Sequence, residues 1–356
     1  MPLTGTSDVP TVVAESWLLV TDKPEGPEGL IFDRTNNLYL VVVGSGTVLR
    51  SAPRTAMAIV PGTAVGSRQD RPVGSPLKPF RPPLTRPPPP VSSGSVSGTY
   101  TPFDLSGRGI VVTGGNNGIG LGMARAMLAS GAAVAIWGSN AGRTERASRQ
   151  LAEGCGDPTR VHAFVCDVGD EAQVEAAFAA SVTALGRVDA CFANAGVSSA
   201  GTPLLEMRLE EFRRVQRINV EGVFLTLRAA ARHMAAHGQG GSLVVTSSTA
   251  AIDGAARNSH YGASKGAVSS FVRALAVELA RYRIRVNAIV PGWIATDMTE
   301  RLVNDPKFAG AVLPRIPARR WGTSDDFGGI AVYLASDASS YTTGEQFVID
   351  GGYTKY

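Results

Sequence analysis

Residues 113–120 read Thr-Gly-Gly-Asn-Asn-Gly-Ile-Gly. A short apolar run, Gly109-Ile110-Val111-Val112, stands immediately before them. Leu121–Leu128, apolar at helical spacing, follows. A strand, a glycine turn and a helix in that order make the phosphate-binding corner of a dinucleotide fold. The glycines let the backbone approach a pyrophosphate, and the helix start offers it unpaired amides. Gly114, Gly118 and Gly120 carry the spacing, and Asn116, Asn117 and Ile119 complete the loop expected against a cofactor. A glycine turn alone is a weak signal, because many strand–helix turns carry one. The strand before it and the helix after it favour the binding role.

From Ser106 onward the pattern alternates. Apolar runs predict strands at 110–113, 134–137, 161–165, 190–193, 242–246, 285–290 and 346–349. Helical periodicity lies between them at 118–130, 144–153, 171–185, 210–237, 261–281 and 325–334. Strands rich in Val, Ile and Ala and separated by helices predict a parallel sheet covered on both faces. The fold class is therefore α/β: a single doubly wound Rossmann-type domain over 101–356, with about seven parallel strands.

Residues 1–100 differ in character. The stretch 53–100 is rich in Pro, Arg, Ser and Gly, with a dense core at 72–90, a composition that favours a disordered or polyproline linker. Ahead of it, Pro24–Asp33 leads into Asn37–Val43 as a strand–turn–strand. This segment resembles a fragment of one blade of the lactonase-type propellers. One blade cannot bury both of its faces, so a complete propeller is excluded. The extension is expected to be a remnant without a catalytic part; the alternative is a docking arm, since Pro-rich segments fit aromatic grooves.

The chain has 356 residues, 44% of them hydrophobic, and a net charge of +4. No concentrated basic stripe is present, which disfavours nucleic acid as a partner despite a pI near 9.1. No window is long and apolar enough to span a bilayer, and no secretory signal is visible, so no membrane partner is expected. Cys155, Cys166 and Cys191 form neither a metal box nor a disulfide framework, which suits the reducing cytoplasm. His233 and His237 share a helix face but lack a third ligand, so no metal is expected.

Three strand ends carry candidate cofactor contacts. After the second strand stand Ser139 and Asn140, where an acid would bind the ribose of NAD and exclude a 2′-phosphate. No acid is present there, and Arg143 follows, which tilts the choice weakly toward NADP(H). Asp167 and Val168 close the third strand, where the acid either contacts adenine or caps the next helix. Asn194, Ala195 and Gly196 close the fourth with the small residues that a backbone–cofactor approach requires.

The segment from Ser247 to Lys265 carries the chemistry. Tyr261 and Lys265 are one helical turn apart and share a face. An ammonium beside a phenol favours the phenolate and brings its pKa down from about 10. That makes Tyr261 a general acid/base for an alcohol/carbonyl pair, and Ser248 is placed to bond the same oxygen. His260 lies either at the substrate mouth or on a solvated loop.

The chain from Leu105 to Gly352 resembles the short-chain dehydrogenase/reductase family. It carries the glycine motif at Thr113–Gly120, Asn194-Ala195-Gly196, Ile218-Asn219-Val220, Tyr261–Lys265, Pro291-Gly292 and a closing Asp350-Gly351-Gly352. The resemblance implies an NAD(P)-dependent oxidoreductase interconverting a secondary alcohol and a ketone. It implies Tyr261 as acid/base, Ser248 orienting the carbonyl, and Lys265 binding the nicotinamide ribose while lowering the Tyr261 pKa. Asn219 would hold a proton-relay water, with a buried bracing role as the alternative. Pro291, Gly292, Ile294 and Thr296 would face the nicotinamide carboxamide. Trp293 and residues 296–321 would form a lid. The substrate is expected to be a small carbonyl or alcohol, either a 3-oxoacyl thioester or a sugar or polyol, and the assembly a homodimer or homotetramer. The competing function is a non-catalytic dinucleotide sensor docking through the Pro-rich arm.

Overall fold

The computed structural model describes residues 101–199 and 201–355, together with the backbone of four strands nearer the N-terminus. Those four are β1 (Leu18–Leu19), β2 (Gly29–Phe32), β3 (Leu38–Val42) and β4 (Thr47–Arg50), paired antiparallel in the order β1-β2-β3-β4. The expected strand–turn–strand is β2 and β3, and a strand flanks it on each side. The Pro-rich stretch lies outside the described residues.

The second unit is built on a seven-stranded sheet. Its strands are β5 (Gly109–Thr113), β6 (Ala133–Gly138), β7 (Val161–Val165), β8 (Ala190–Ala193), β9 (Gly241–Thr246), β10 (Ile284–Pro291) and β11 (Gln346–Ile349). All pair in parallel, in the order β11-β10-β9-β8-β5-β6-β7. Every residue of β5 is buried, as a central parallel strand requires. Its side chains alternate between two cores. Ile110 and Val112 pack with Met123, Met127 and Leu128 of α1 (Gly118–Ala129). Val111 faces the opposite core with Val174 and Phe178 of α3 (Glu171–Leu185). In chain order between these two comes α2 (Ala141–Cys155), which packs Ala147 and Leu151 into the same core as α1.

The strand order reverses at β5, with β6 on one side and β8 on the other. At such a switch point the carboxyl ends of the strands part and open a crevice. Side chains fix its walls. The Thr113 hydroxyl accepts bonds of 3.0 Å from the amides of both Asn194 and Ala195. The Asn194 side-chain amide donates to the carbonyls of Thr113 and Gly114 at 3.1 and 3.3 Å. A Cβ on Gly120 would run into the Gly114 carbonyl and the Asn194 amide nitrogen, so only glycine lets α1 start this close to the turn.

The expected helix at 210–237 is three pieces. It begins as α4 (Leu209–Gln216), widens into a π-helical turn over Arg217–Glu221, and resumes as α5 (Gly222–His237). The helix carrying Tyr261 is α6 (Ser259–Leu279), which starts two residues earlier than expected. The 296–321 segment contains α7 (Glu300–Val303) and α8 (Pro306–Val312). Trp293, Phe308 and Trp321 cluster at its base, with centroid separations of 4.9 and 6.2 Å. The last helix, α9 (Gly328–Ala335), is entered through a 3-10 turn at Ser324–Phe327. No helix among the described residues is long and apolar enough to cross a membrane.

Candidate active site

A cavity of about 550 Å³ runs along the carboxyl ends of β5, β6, β8, β9 and β10. At one end lie Ser139, Asn140, Arg143, Asp167 and Val168. The glycine turn lies midway, with Gly114, Asn116, Asn117, Gly118 and Ile119. Asn194, Ala195, Gly196, Ser248, Tyr261, Lys265, Pro291, Gly292, Ile294 and Thr296 line the remainder. Two expected residues do not line it. Gly120 is spent on helix packing, and Asn219 is fully buried behind the wall.

The glycine turn is built to take an anion. Asn117 caps α1 by accepting a 2.8 Å bond from the Gly118 amide, and no acid stands in the first turn. The positive end of the helix dipole therefore faces the cavity unopposed. Gly114 and Gly118 have φ of +63° and +50°, the left-handed region that glycine enters freely. A Cβ on Gly118 would stand 3.2 Å from the Thr296 methyl, across the path of a pyrophosphate. The residues present thus fit a dinucleotide.

The adenosine end is less simple. Asn140 caps α2, accepting a 2.9 Å bond from the Arg143 amide. Asp167 does not cap α3; that cap is Asp170. Asp167 instead accepts from the Gly169 amide and from Arg217, both at 2.9 Å. Cys166 also lines the cavity, but burial, reinforced by Asp167 and Asp170, pushes its thiol up to about 12, so it remains protonated.

At the other end, Ser248 and Tyr261 share a side-chain hydrogen bond. Ser248 also accepts a 3.1 Å bond from the Ala250 amide, which fixes its oxygen beyond β9. Lys265 is buried, with its Nζ donating to the Thr246 carbonyl at 2.8 Å. The ammonium stands 5.6 Å from the Tyr261 ring centroid. This differs from the expected lowering of the Tyr261 pKa by Lys265. Burial raises the phenol, and the Ser248 bond partly opposes that rise. Burial likewise lowers Lys265 to about 8. Burial thus disfavours charge on both groups.

Asn219 takes its place from the π-helical turn. Its side chain accepts from the Val197 amide at 2.8 Å and donates to the Val197 carbonyl and the Ser264 hydroxyl at 2.9 and 3.0 Å. That is the bracing geometry. Ser198 and Arg214 also line the cavity, and sequence reasoning missed them; Met298, within the expected lid segment, lines it too. Arg214 donates to the Ser198 carbonyl at 2.9 Å from sixteen positions away, a pairing without a local signal.

His260 is neither at a mouth nor in solvent. It is fully buried in the first turn of α6, with Nε2 2.8 Å from the Ser199 hydroxyl. Burial lowers its pKa against the opposing pull of Glu211, with Arg214 adding to the lowering. His233 accepts from the Val188 amide and His237 from the Gln239 amide. No cluster able to hold a metal occurs among the described residues.

A family model described as enoyl-(acyl carrier protein) reductase matches residues 114–354. The 2,5-dichloro-2,5-cyclohexadiene-1,4-diol dehydrogenase of Sphingobium indicum is 36% identical over 252 residues, 70% of this chain and 98% of that one. The chain belongs to the short-chain dehydrogenase/reductase family.

Gluconate 5-dehydrogenase of Gluconobacter oxydans is 37% identical, over 71% of this chain and 96% of its own. The crystal structure of a gluconate 5-dehydrogenase from Burkholderia cenocepacia, in complex with NADP and tartrate, superposes with a TM-score of 0.68 at 33% identity. The match covers 72% of this chain and 98% of that one. As a member of this family the chain is an NAD(P)-dependent oxidoreductase that interconverts a secondary alcohol and a ketone.

Proposed function

We propose that the substrate is a sugar or polyol and that Tyr261 is the acid/base. The Ser248–Tyr261 hydrogen bond over a buried Lys265, in the cavity that also holds the glycine turn, carries this reading. In the oxidative direction the substrate hydroxyl lies against Ser248, and its proton passes to the Tyr261 phenolate. When bound, the nicotinamide supplies the hydride acceptor, or the donor in the reverse direction. Lys265 holds the ribose hydroxyls and, once they draw its ammonium toward the phenol, favours the phenolate. Asn219 braces Val197 and so fixes the wall beside Gly196. A relay water toward Lys265 would be held near the Asn219 backbone, because the side chain is already bonded.

Pro291, Gly292, Ile294 and Thr296 face the carboxamide, Asp167 and Val168 the adenine, and Ser139, Asn140 and Arg143 the adenosine ribose. The absence of an acid after β6 and the presence of Arg143 support NADP(H). The named sugar and polyol dehydrogenases among the relatives support the substrate class. Residues 296–321 act as the lid. The chain forms a homodimer or homotetramer through α5 and α6, where Phe224 and Val277 are 42% and 82% exposed. The free thiols of Cys155, Cys166 and Cys191 support a cytoplasmic location. The folded catalytic unit is taken as 101–356, without a chemical part for 1–100.

Titration with NADH and NADPH, followed by a panel of aldonates, polyols and 3-oxoacyl thioesters with the preferred cofactor, tests this reading. Turnover confined to 3-oxoacyl thioesters would sink the substrate class and leave the Tyr261 chemistry standing.

A further inference from the structure

One ion pair joins the two walls of the cavity. Arg143 stands in the first turn of α2, beyond the end of β6. Asp297 follows Thr296, after β10. Arg143 Nη1 lies 3.6 Å from Asp297 Oδ2, and both side chains line the cavity while remaining about half exposed. The other cationic side chains of the lining are committed elsewhere. Arg214 makes bonds of 2.7 and 2.8 Å to Glu211, and Lys265 bonds the Thr246 carbonyl. Asn140 spends its side-chain oxygen on the cap of α2. Arg143 is therefore the cation of the lining available beside the adenosine end, and a carboxylate from the opposite wall is paired with it.

We infer that Asp297 is a displaceable counter-ion for Arg143 that sets the balance between NADP(H) and NAD(H). The inference rests on the reading of Arg143 as part of the adenosine end. A 2′-phosphate dianion offers Arg143 more charge and more acceptor oxygens than one carboxylate, so it displaces Asp297. The exchange is cheap, because an exposed pair at this distance weighs a factor of only about 1.4 to 5 in an equilibrium. A dinucleotide without that phosphate leaves the pair closed. The pair thus permits both cofactors and handicaps NADP(H) by a small, fixed factor.

The test uses the full chain and two probes, 2′,5′-ADP and 5′-AMP, which differ only in the phosphate at issue. Calorimetric affinities are measured for wild type, Asp297→Asn, Arg143→Gln and the double variant. The ratio of 2′,5′-ADP affinity to 5′-AMP affinity is expected to rise about two- to fivefold in Asp297→Asn. It falls in Arg143→Gln, and in that background Asp297→Asn no longer changes it. If Asp297→Asn tightens both probes equally, Asp297 exerts only general repulsion and the inference is overturned. A rise in the ratio that persists without Arg143 overturns it as well. Failure of either probe to bind wild type would instead overturn the placing of adenosine at this end, and the inference with it.

Discussion

Lys265 Nζ donates a 2.8 Å hydrogen bond to the carbonyl oxygen of Thr246, the last residue of β9. The sheet edge thereby holds the ammonium in place beneath the tyrosine ring before any ligand arrives. Burial lowers the group from its ordinary 10.5 to about 8. Its folded pKa lies below its unfolded one, so between about pH 8 and pH 10.5 the unfolded chain binds more protons. Stability then rises with pH across that window, because the folded protein no longer has to bury a charge. Thermal melts of wild type minus Lys265→Met should show this rise. A flat difference across the window would mean that Lys265 is not desolvated.

The same burial makes the free enzyme a poor base at neutral pH. Tyr261 is raised above the usual phenol range, and only the Ser248 bond opposes the rise. Alcohol oxidation, which needs the phenolate, should climb with pH through the alkaline range, while carbonyl reduction, which needs the phenol, should fall. Ser248→Ala removes the opposing bond, so its oxidation limb should move to higher pH. Coincident limbs in wild type and variant would show that Ser248 leaves the phenol unaffected.

Asn219 offers a stability test. Its three side-chain bonds satisfy both backbone polar groups of Val197 in a fully buried position. Asn219→Leu strands those groups, at about 1–3 kcal/mol each. Denaturant unfolding should register a loss of about that size, with a matching loss of activity as the wall beside Gly196 shifts. Unchanged stability would remove the bracing role.

Gly120→Ala places a methyl against the Gly114 carbonyl and the Asn194 amide. Overpacking of that kind costs about 1–3 kcal/mol and pushes α1 away from the turn. Dinucleotide affinity should fall together with the melting temperature, although Gly120 does not line the cavity. Full affinity in the alanine variant would place the phosphate elsewhere.

The sequence announces what chain-local physics controls. Ile110 to Thr113 reads as a strand buried on both faces, and the glycines after it, with a helix following, read as a turn that a ligand approaches. Tyr261 and Lys265 share a face because helices have a fixed period. What it leaves unreadable depends on partners far along the chain. His260 looks like a loop residue until Ser199, sixty-one positions earlier, is found against its ring. Asp167 is a good capping residue, yet Arg217, fifty positions on, claims it and leaves the cap to Asp170. The π-helical turn at Arg217–Glu221 is equally silent, because an uninterrupted helical pattern runs through it.

The central claim is that the Tyr261 hydroxyl moves the proton. Tyr261→Phe keeps the ring over Lys265 and deletes the hydroxyl alone. Single-turnover hydride transfer, followed by nicotinamide absorbance with cofactor affinity measured in parallel, should slow by about 10²–10⁴-fold with affinity unchanged. Hydride transfer at the wild-type rate in the phenylalanine variant would contradict the account.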